Sequence, residues 1–264
     1  MGKILAVITG ASSGLGGVFA RKLAADHDLL LIARRKDRLE TVAAELSAEY
    51  GCSVEILAGD LTDEGDLTAV ADRIAAEPRL GLLVNNAGFG ARGLFWESDY
   101  TVQEQMHLLH VMAMLQLSHA ALRNMVKKNE GAIINVASVA AFLQREGAVS
   151  YGATKRWVVS FTEGLHLELK GLGSAVKVQA LCPGFTFTEF HATLGVERAN
   201  VAPPSLWLQP EFVVDESLKA LERGKLIVVP GWKYKAIVAM VSKLPTPLRL
   251  AFEGAGSTKN SRWK

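Results

Sequence analysis

Short apolar runs alternate with longer amphipathic stretches along this chain, and their order predicts its architecture. Ile4 to Ile8, Leu29 to Ala33, Val54 to Ala58, Leu80 to Val84, Ala132 to Ala137, Val176 to Leu181 and Leu226 to Val229 are mostly apolar runs of strand length. Such runs mark strands buried on both faces of a parallel sheet. Between them apolar residues recur at helical spacing, as in Phe19, Ala20, Leu23 and Ala24, then Leu39, Val42, Ala43 and Leu46, then Leu67, Val70, Ala71 and Ile74. Thr101 to Lys128, a long stretch opening at Tyr151, and Glu211 to Arg223 read as further helices. Strands alternating with helices, without internal repeat, predict an α/β fold: a doubly wound sheet of about seven parallel strands with helices on both faces. One domain is expected to cover residues 1–264, with a substrate loop or lid over 189–225 and an amphipathic C-terminal tail over 232–264.

Composition narrows the classes of function. The 264 residues are nearly half hydrophobic, enough for a full core. A formal net charge of +2, from 29 basic and 27 acidic residues, gives no electrostatic case for nucleic acid as a partner. Cys52 and Cys182 fit a reducing compartment and read as buried, inert thiols. The first apolar run is too short for a signal peptide, and none reaches the roughly 18 residues of a membrane span. A cytoplasmic protein is therefore expected.

The candidate chemistry gathers at the carboxyl ends of the expected strands, where open α/β sheets bind ligands. The first strand runs into TGASSGLG, Thr9 to Gly16, and then a helix. A strand, a glycine loop and a helix N-terminus form an architecture that receives phosphate. Gly10, Gly14 and Gly16 permit a tight turn and close approach, although their spacing differs from the usual dinucleotide fingerprint and an unliganded glycine turn has the same look. The second strand ends at Arg34 and Arg35. An acid at that place takes a ribose 2′-hydroxyl, and an arginine accommodates a 2′-phosphate. The two guanidiniums favour NADP(H) over NAD(H). Ser13 stands where a further basic residue would strengthen that case, and solvated arginines opening a helix are the alternative. Asp60 and Leu61 end the third strand, where the acid suits an adenine amino group or simply turn chemistry. Asn85, Asn86, Ala87 and Gly88 end the fourth, their amides suited to tying strands together or to touching a cofactor. Ser138 ends the fifth, and Tyr151 and Lys155 follow, four residues apart and so on one helical face. The sixth ends at Pro183 and Gly184, followed by Thr186 and Thr188.

TGASSGLG, NNAG, Ser138, Tyr151 with Lys155, and PG followed by Thr186 and Thr188 stand in the order and spacing of the short-chain dehydrogenase/reductases. From about Lys3 to Phe190 the chain resembles that family, in its NADP-preferring branch of classical-type members, and the resemblance implies a Rossmann-like fold. It also implies hydride transfer between nicotinamide C4 and a carbonyl or carbinol carbon. Tyr151 would be the general acid for reduction and base for oxidation, Lys155 with the positive nicotinamide ring would lower its pKa, Lys155 would bind the nicotinamide ribose, and Ser138 would polarise the substrate oxygen. Gly10, Ser12, Gly14, Leu15 and Gly16 would line the phosphates and ribose. Asp60 would address adenine, Asn86 and Gly88 the central cofactor, and Pro183, Thr186 and Thr188 the nicotinamide end. Ser13, Arg34, Arg35, Leu61, Ala87 and Gly184 complete the expected cofactor shell. The family usually carries asparagine where this chain has His110, in LLHVMA. His110 then either replaces it structurally or relays protons itself. With His107 three residues earlier but without a carboxylate or cysteine partner nearby, the pair makes a poor metal site, so none is expected.

Phe95, Trp96, Phe142, Phe190, Leu194, Leu206 and Trp207 suggest an apolar pocket for a small-molecule carbonyl or alcohol substrate. The segment Trp232 to Leu244 is suited to covering the cleft, to subunit packing or to weak contact with a membrane surface. By resemblance a homodimer or homotetramer is expected. Two other readings stand beside the reductase: a non-catalytic NADP-binding sensor, and an NAD-dependent alcohol dehydrogenase if both arginines point to solvent.

Overall fold

A computed structural model describes residues 2–191 and 202–255. Seven strands, β1 (Ile4–Thr9), β2 (His27–Ala33), β3 (Val54–Ala58), β4 (Leu80–Asn85), β5 (Ala132–Val136), β6 (Lys177–Leu181) and β7 (Ile227–Val228), form one sheet. Their order is β3-β2-β1-β4-β5-β6-β7, and every neighbouring pair is parallel. The order reverses between β1 and β4, which opens a crevice at the strands' carboxyl ends. The helices are α1 (Gly14–Leu23), α2 (Lys36–Tyr50), α3 (Glu64–Ala75), α4 (Tyr100–His107), α5 (Met114–Lys128), α6 (Val149–Gly171), α7 (Pro210–Glu222), α8 (Trp232–Val241) and α9 (Thr246–Ala255).

The two-residue period of the central strands assigns them to two cores. Ala6, Ile8, Leu29, Leu31, Leu82 and Val84 pack under α1, α2 and α7 with Phe19, Leu39, Leu46 and Val213. The alternate residues Leu5, Val7, Leu30, Ile32 and Leu83 pack with Leu67, Ile74, Leu117 and Leu169 of α3, α5 and α6. Continuous apolar runs are thus explained, since both faces are covered. Buried amides cross-link the centre: Asn85 Nδ2 donates to Asn135 Oδ1 (2.9 Å) and to Ser118 Oγ (3.0 Å), and Asn135 Nδ2 donates to Thr162 Oγ1 (3.0 Å).

Two expectations need correction. The helix expected over 101–128 is broken by a π-helical turn, Leu108–Ala113, which separates α4 from α5. The helix expected from Tyr151 begins two residues earlier, at Val149. The stretch from Trp232 to Leu244, for which cleft cover, subunit packing and membrane contact were open, packs within the chain through α8. Tyr234 and Val241 are buried, and Tyr234 packs with Cys182, Val229 and Val158 in a third core. Residues 256–264 of the expected tail, and 192–201 of the expected substrate loop with Leu194, lie outside the described residues.

Candidate active site

The glycine loop joins β1 to α1 over the reversal point. Gly10 (φ +67°) and Gly14 (φ +56°) adopt the left-handed region, where a side chain is strained. A Cβ on Gly16 would run into the Gly10 carbonyl and the Asn86 amide. That packing lets α1 start with its N-terminus against the crevice. Asn86 braces the loop from the other side, its Nδ2 donating to Thr9 O at 2.9 Å. Thr9 Oγ1 accepts from both Asn86 N and Ala87 N at 2.9 Å. The NNAG stretch therefore divides its labour: Asn85 ties strands together and Asn86 shapes the loop.

The two arginines differ. Arg34 leans outward onto Asp60 (3.6 Å), whose other oxygen accepts from Thr62 N (3.0 Å) and Thr62 Oγ1 (2.8 Å). Burial raises the Asp60 carboxyl, but the Thr62 bonds and Arg34 outweigh it and hold the group below its ordinary value. Arg35 turns inward, donating to Ser13 Oγ (2.9 Å) and Ser12 Oγ (3.2 Å). The same guanidinium meets Glu189 Oε2 at 3.3 Å, and Arg38 Nη1 reaches both Glu189 oxygens at 2.9 Å. An anion thus already sits between Arg35, Arg38 and the serine hydroxyls. The residues fit a phosphate-bearing dinucleotide: backbone that side chains would block, a helix N-terminus, and a cationic pocket holding a carboxylate.

Ser138, Tyr151 and Lys155 converge from the end of β5 and one face of α6. The Ser138 hydroxyl lies beside the Tyr151 phenol, donates to Pro183 O (3.5 Å), and its oxygen accepts from Ala140 N (3.1 Å). Lys155 Nζ donates to Val136 O (2.9 Å) and lies 5.7 Å from the centre of the Tyr151 ring. Burial pushes the phenol up to about 12, and the neighbouring Ser138 hydroxyl opposes the rise. Burial also brings the Lys155 ammonium down to about 8. Burial thus dominates both groups in this geometry.

His110 is buried in the π turn with both ring nitrogens engaged. Phe89 N donates to Nε2 (3.2 Å), so Nδ1 carries the proton and donates to Thr154 Oγ1 (3.0 Å). Thr154 in turn donates to Tyr151 O at 3.0 Å. Burial, with the Lys155 charge second, holds the imidazole well below its ordinary value and neutral. Gly88 is needed here, because a Cβ on it would stand 2.8 Å from Nε2. His107 is occupied elsewhere, its Nδ1 at 2.8 Å from Gln103 O. Among the described residues no cluster of three or more histidine, cysteine or acidic side chains is placed to hold a metal.

Beyond β6, Pro183 and Gly184 lead to Thr186, which pairs with Leu208 in an isolated bridge, and to Thr188, whose methyl approaches Gly14. Tyr234 supports this loop: its hydroxyl accepts from Phe185 N (3.0 Å) and donates to Leu206 O (2.7 Å). A Cβ on Gly184 would collide with the Tyr234 ring. Of the aromatics expected to line a pocket, Phe190 stands 5.8 Å from Tyr151, and Trp207 packs with Phe185 and Phe187. Phe95, though exposed, lines a small cleft with Tyr151, and Trp96 is exposed. Thr9, Arg38, Thr154, Glu189 and Tyr234 were not foreseen. Arg38 alone had a readable signal, one helical turn past Arg34 and Arg35.

The family model for short chain dehydrogenase matches residues 4–199. A very-long-chain 3-oxoacyl-CoA reductase of Anas platyrhynchos is 30% identical over 193 residues, which cover 70% of this chain and 60% of that relative's length. An NADP-dependent 3-hydroxy acid dehydrogenase of Schizosaccharomyces pombe is 32% identical over 232 residues, 84% of this chain and 88% of that one. A short-chain dehydrogenase from Sphingobium yanoikuyae, solved in complex with NADPH, superposes with a TM-score of 0.82 at 35% identity, covering 92% of this chain and 96% of that chain.

Proposed function

The chain belongs to the short-chain dehydrogenase family, and from that premise we propose that it is an NADP(H)-dependent reductase of an apolar carbonyl compound. The observation that carries the reading is the convergence of Ser138, Tyr151 and Lys155 beside a glycine loop whose serines hold Arg35. The nicotinamide supplies or accepts the hydride when bound. Gly10, Ser12, Ser13, Gly14, Leu15 and Gly16 bind its phosphates and Arg35 the 2′-phosphate. Asp60 and Leu61 flank the adenine, and Asn86, Ala87 and Gly88 the central part. Pro183, Gly184, Thr186 and Thr188 border the nicotinamide, and Lys155 holds its ribose.

In the proposed reaction Ser138 orients the substrate oxygen, and Tyr151 delivers a proton to that oxygen as hydride reaches carbon. A phenol raised to about 12 is fully protonated at neutrality, which suits reduction. Lys155 stabilises the phenolate left behind, provided the ammonium is charged. His110 acts by position: its single tautomer joins the Phe89 amide to Thr154 and so fixes the start of α6. Phe190 beside Tyr151 and Phe89 beside His110 give the cleft an apolar side, consistent with a fatty or aromatic carbonyl. The relatives' names, a 3-oxoacyl-CoA reductase and a 3-hydroxy acid dehydrogenase, support an acyl-type substrate. A cytoplasmic homodimer or homotetramer fits the balanced charge, and no helix among the described residues is long and apolar enough to cross a membrane.

The test is consumption of NADPH with a panel of apolar ketones and 3-oxoacyl thioesters, wild type beside Tyr151→Phe, with NADH as control. Turnover with NADPH that falls at least about a hundredfold in the variant is expected, the usual worth of a positioned acid. Turnover unaffected by the substitution would remove Tyr151 from the mechanism, and a preference for NADH would remove the 2′-phosphate reading.

A further inference from the structure

Glu189 follows Thr188, at the nicotinamide border of the crevice, yet its carboxylate lies against the basic corner at the far end of β2. The side chain bridges from the loop after β6 to Arg35 (3.3 Å) and Arg38 (2.9 Å). Those are 154 and 151 residues away in sequence. Ser12 and Ser13 complete the corner through Arg35. The carboxylate oxygens thus take the donors that a 2′-phosphate needs. Two anions cannot share those guanidiniums without repulsion in the same few ångströms. Arg38 and Arg35 also keep the Glu189 carboxyl below its ordinary value, so it is anionic at neutral pH.

We propose that Glu189 is an internal competitor for the 2′-phosphate subsite, an anion of the chain itself that NADP(H) must displace. The inference rests on the NADP(H) reading above and deepens it, because it names a residue that tunes affinity for the phosphate and not for the rest of the dinucleotide. NADH, lacking the phosphate, leaves Glu189 on its arginines and gains nothing from its removal. The competitor keeps the arginines paired, and it limits how tightly the phosphorylated cofactor is retained.

The contacts are half exposed, so solvent screens them and the effect is moderate. In Glu189→Gln the affinities for NADPH and for 2′,5′-ADP, measured by calorimetry on the full chain, should rise about fivefold, as expected from losing one or two exposed ion pairs. The affinity for NADH should stay within twofold of wild type. Glu189→Ala serves as a second variant, since it removes the charge without leaving an amide to bond to Arg38, and the same pattern is expected.

Equal tightening of NADPH and NADH would overturn the proposal, because Glu189 would then obstruct the crevice in general. Unchanged or weaker binding of 2′,5′-ADP in both variants would also overturn it, and would make Glu189 part of the cofactor's own binding surface. Failure of the underlying reading looks different: wild type itself would bind NADH better than NADPH and would not bind 2′,5′-ADP.

Discussion

Lys155 sets stability against chemistry. Its ammonium is buried with one hydrogen bond, to Val136 O, and burial brings it down to about 8 from an ordinary 10.5. Below pH 8 the folded and unfolded chains are both charged there, and the folded chain bears the full desolvation penalty. Between 8 and 10.5 the unfolded chain holds the extra proton, so wild-type stability rises with pH across that window. Lys155→Met removes the penalty and the slope together. Denaturant unfolding of both proteins at pH 7 and pH 9.5 should show the variant's relative stability falling by about 2 kcal/mol at the higher pH, at roughly 1.36 kcal/mol per unit. Comparing two pH values cancels the bond lost at Val136. A difference independent of pH would mean that burial does not lower Lys155 below its unfolded value. The same ionisation governs activity: kcat/KM for reduction should be level up to about pH 8 and fall above it, as the ammonium that steadies the phenolate is lost. His110 predicts the opposite. Neutral throughout, it should leave the shape of that profile unchanged in His110→Ala, while the loss of two buried hydrogen bonds costs about 2 kcal/mol of stability. A profile that loses a limb in His110→Ala would restore a direct proton role.

At the scale of elements, the residues legible in the sequence are those placed by a single strand end or a single helix face. Ser138 follows an apolar strand, and Tyr151 and Lys155 share a helical turn, so local periodicity sufficed to bring them together. The π turn at Leu108–Ala113 was not legible, because LLHVMA continues the apolar pattern of an α-helix without a proline or glycine to mark the break. Glu189 was hidden for another reason: its partners lie more than a hundred residues away, and nothing in TFTEF says which arginines it meets. Tyr234 shows how far this reaches. In sequence it belongs to an amphipathic stretch suited to several surfaces, yet in the fold α8 is a strut whose phenol spans the loop after β6 and the segment before α7. Tyr234→Phe leaves the Phe185 N–H and the Leu206 carbonyl without that partner. Each such buried group costs about 1–3 kcal/mol, and the loop carrying Thr186 and Thr188 should loosen. The expected outcome is a several-fold rise in KM for the carbonyl with kcat nearly unchanged, read by steady-state kinetics. A fall in kcat alone would place Tyr234 in the chemistry and not beneath it.

The molecule as a whole leaves an apolar surface beside its catalytic helix. Met112 in the π turn, Leu115 on α5, and Leu167 and Leu172 at the far end of α6 are exposed, and Trp157 and Phe161 stack at 4.7 Å on α6. The π turn packs against α6, which brings Met112 beside that helix. A core that fills both sheet faces leaves no folding reason for apolar side chains there, and association of two copies through this side is the proposed one. In a two-fold pairing each residue is presented twice, so a charge introduced at the centre is desolvated and duplicated at once. Leu115→Glu combined with Leu167→Glu should convert a dimer or tetramer, measured by light scattering at micromolar concentration, into a monomer with an intact circular dichroism spectrum. Because α6 also carries Tyr151 and Lys155, the monomer should lose activity while retaining nucleotide binding, most of whose proposed residues lie outside α6, at the ends of β1, β2, β3, β4 and β6. A wild type that is already monomeric, or a double variant of unchanged mass, would rule out this face. A monomer with full activity would show that α6 holds its catalytic geometry from within one chain, through Thr154, His110 and the buried Asn135 to Thr162 bond.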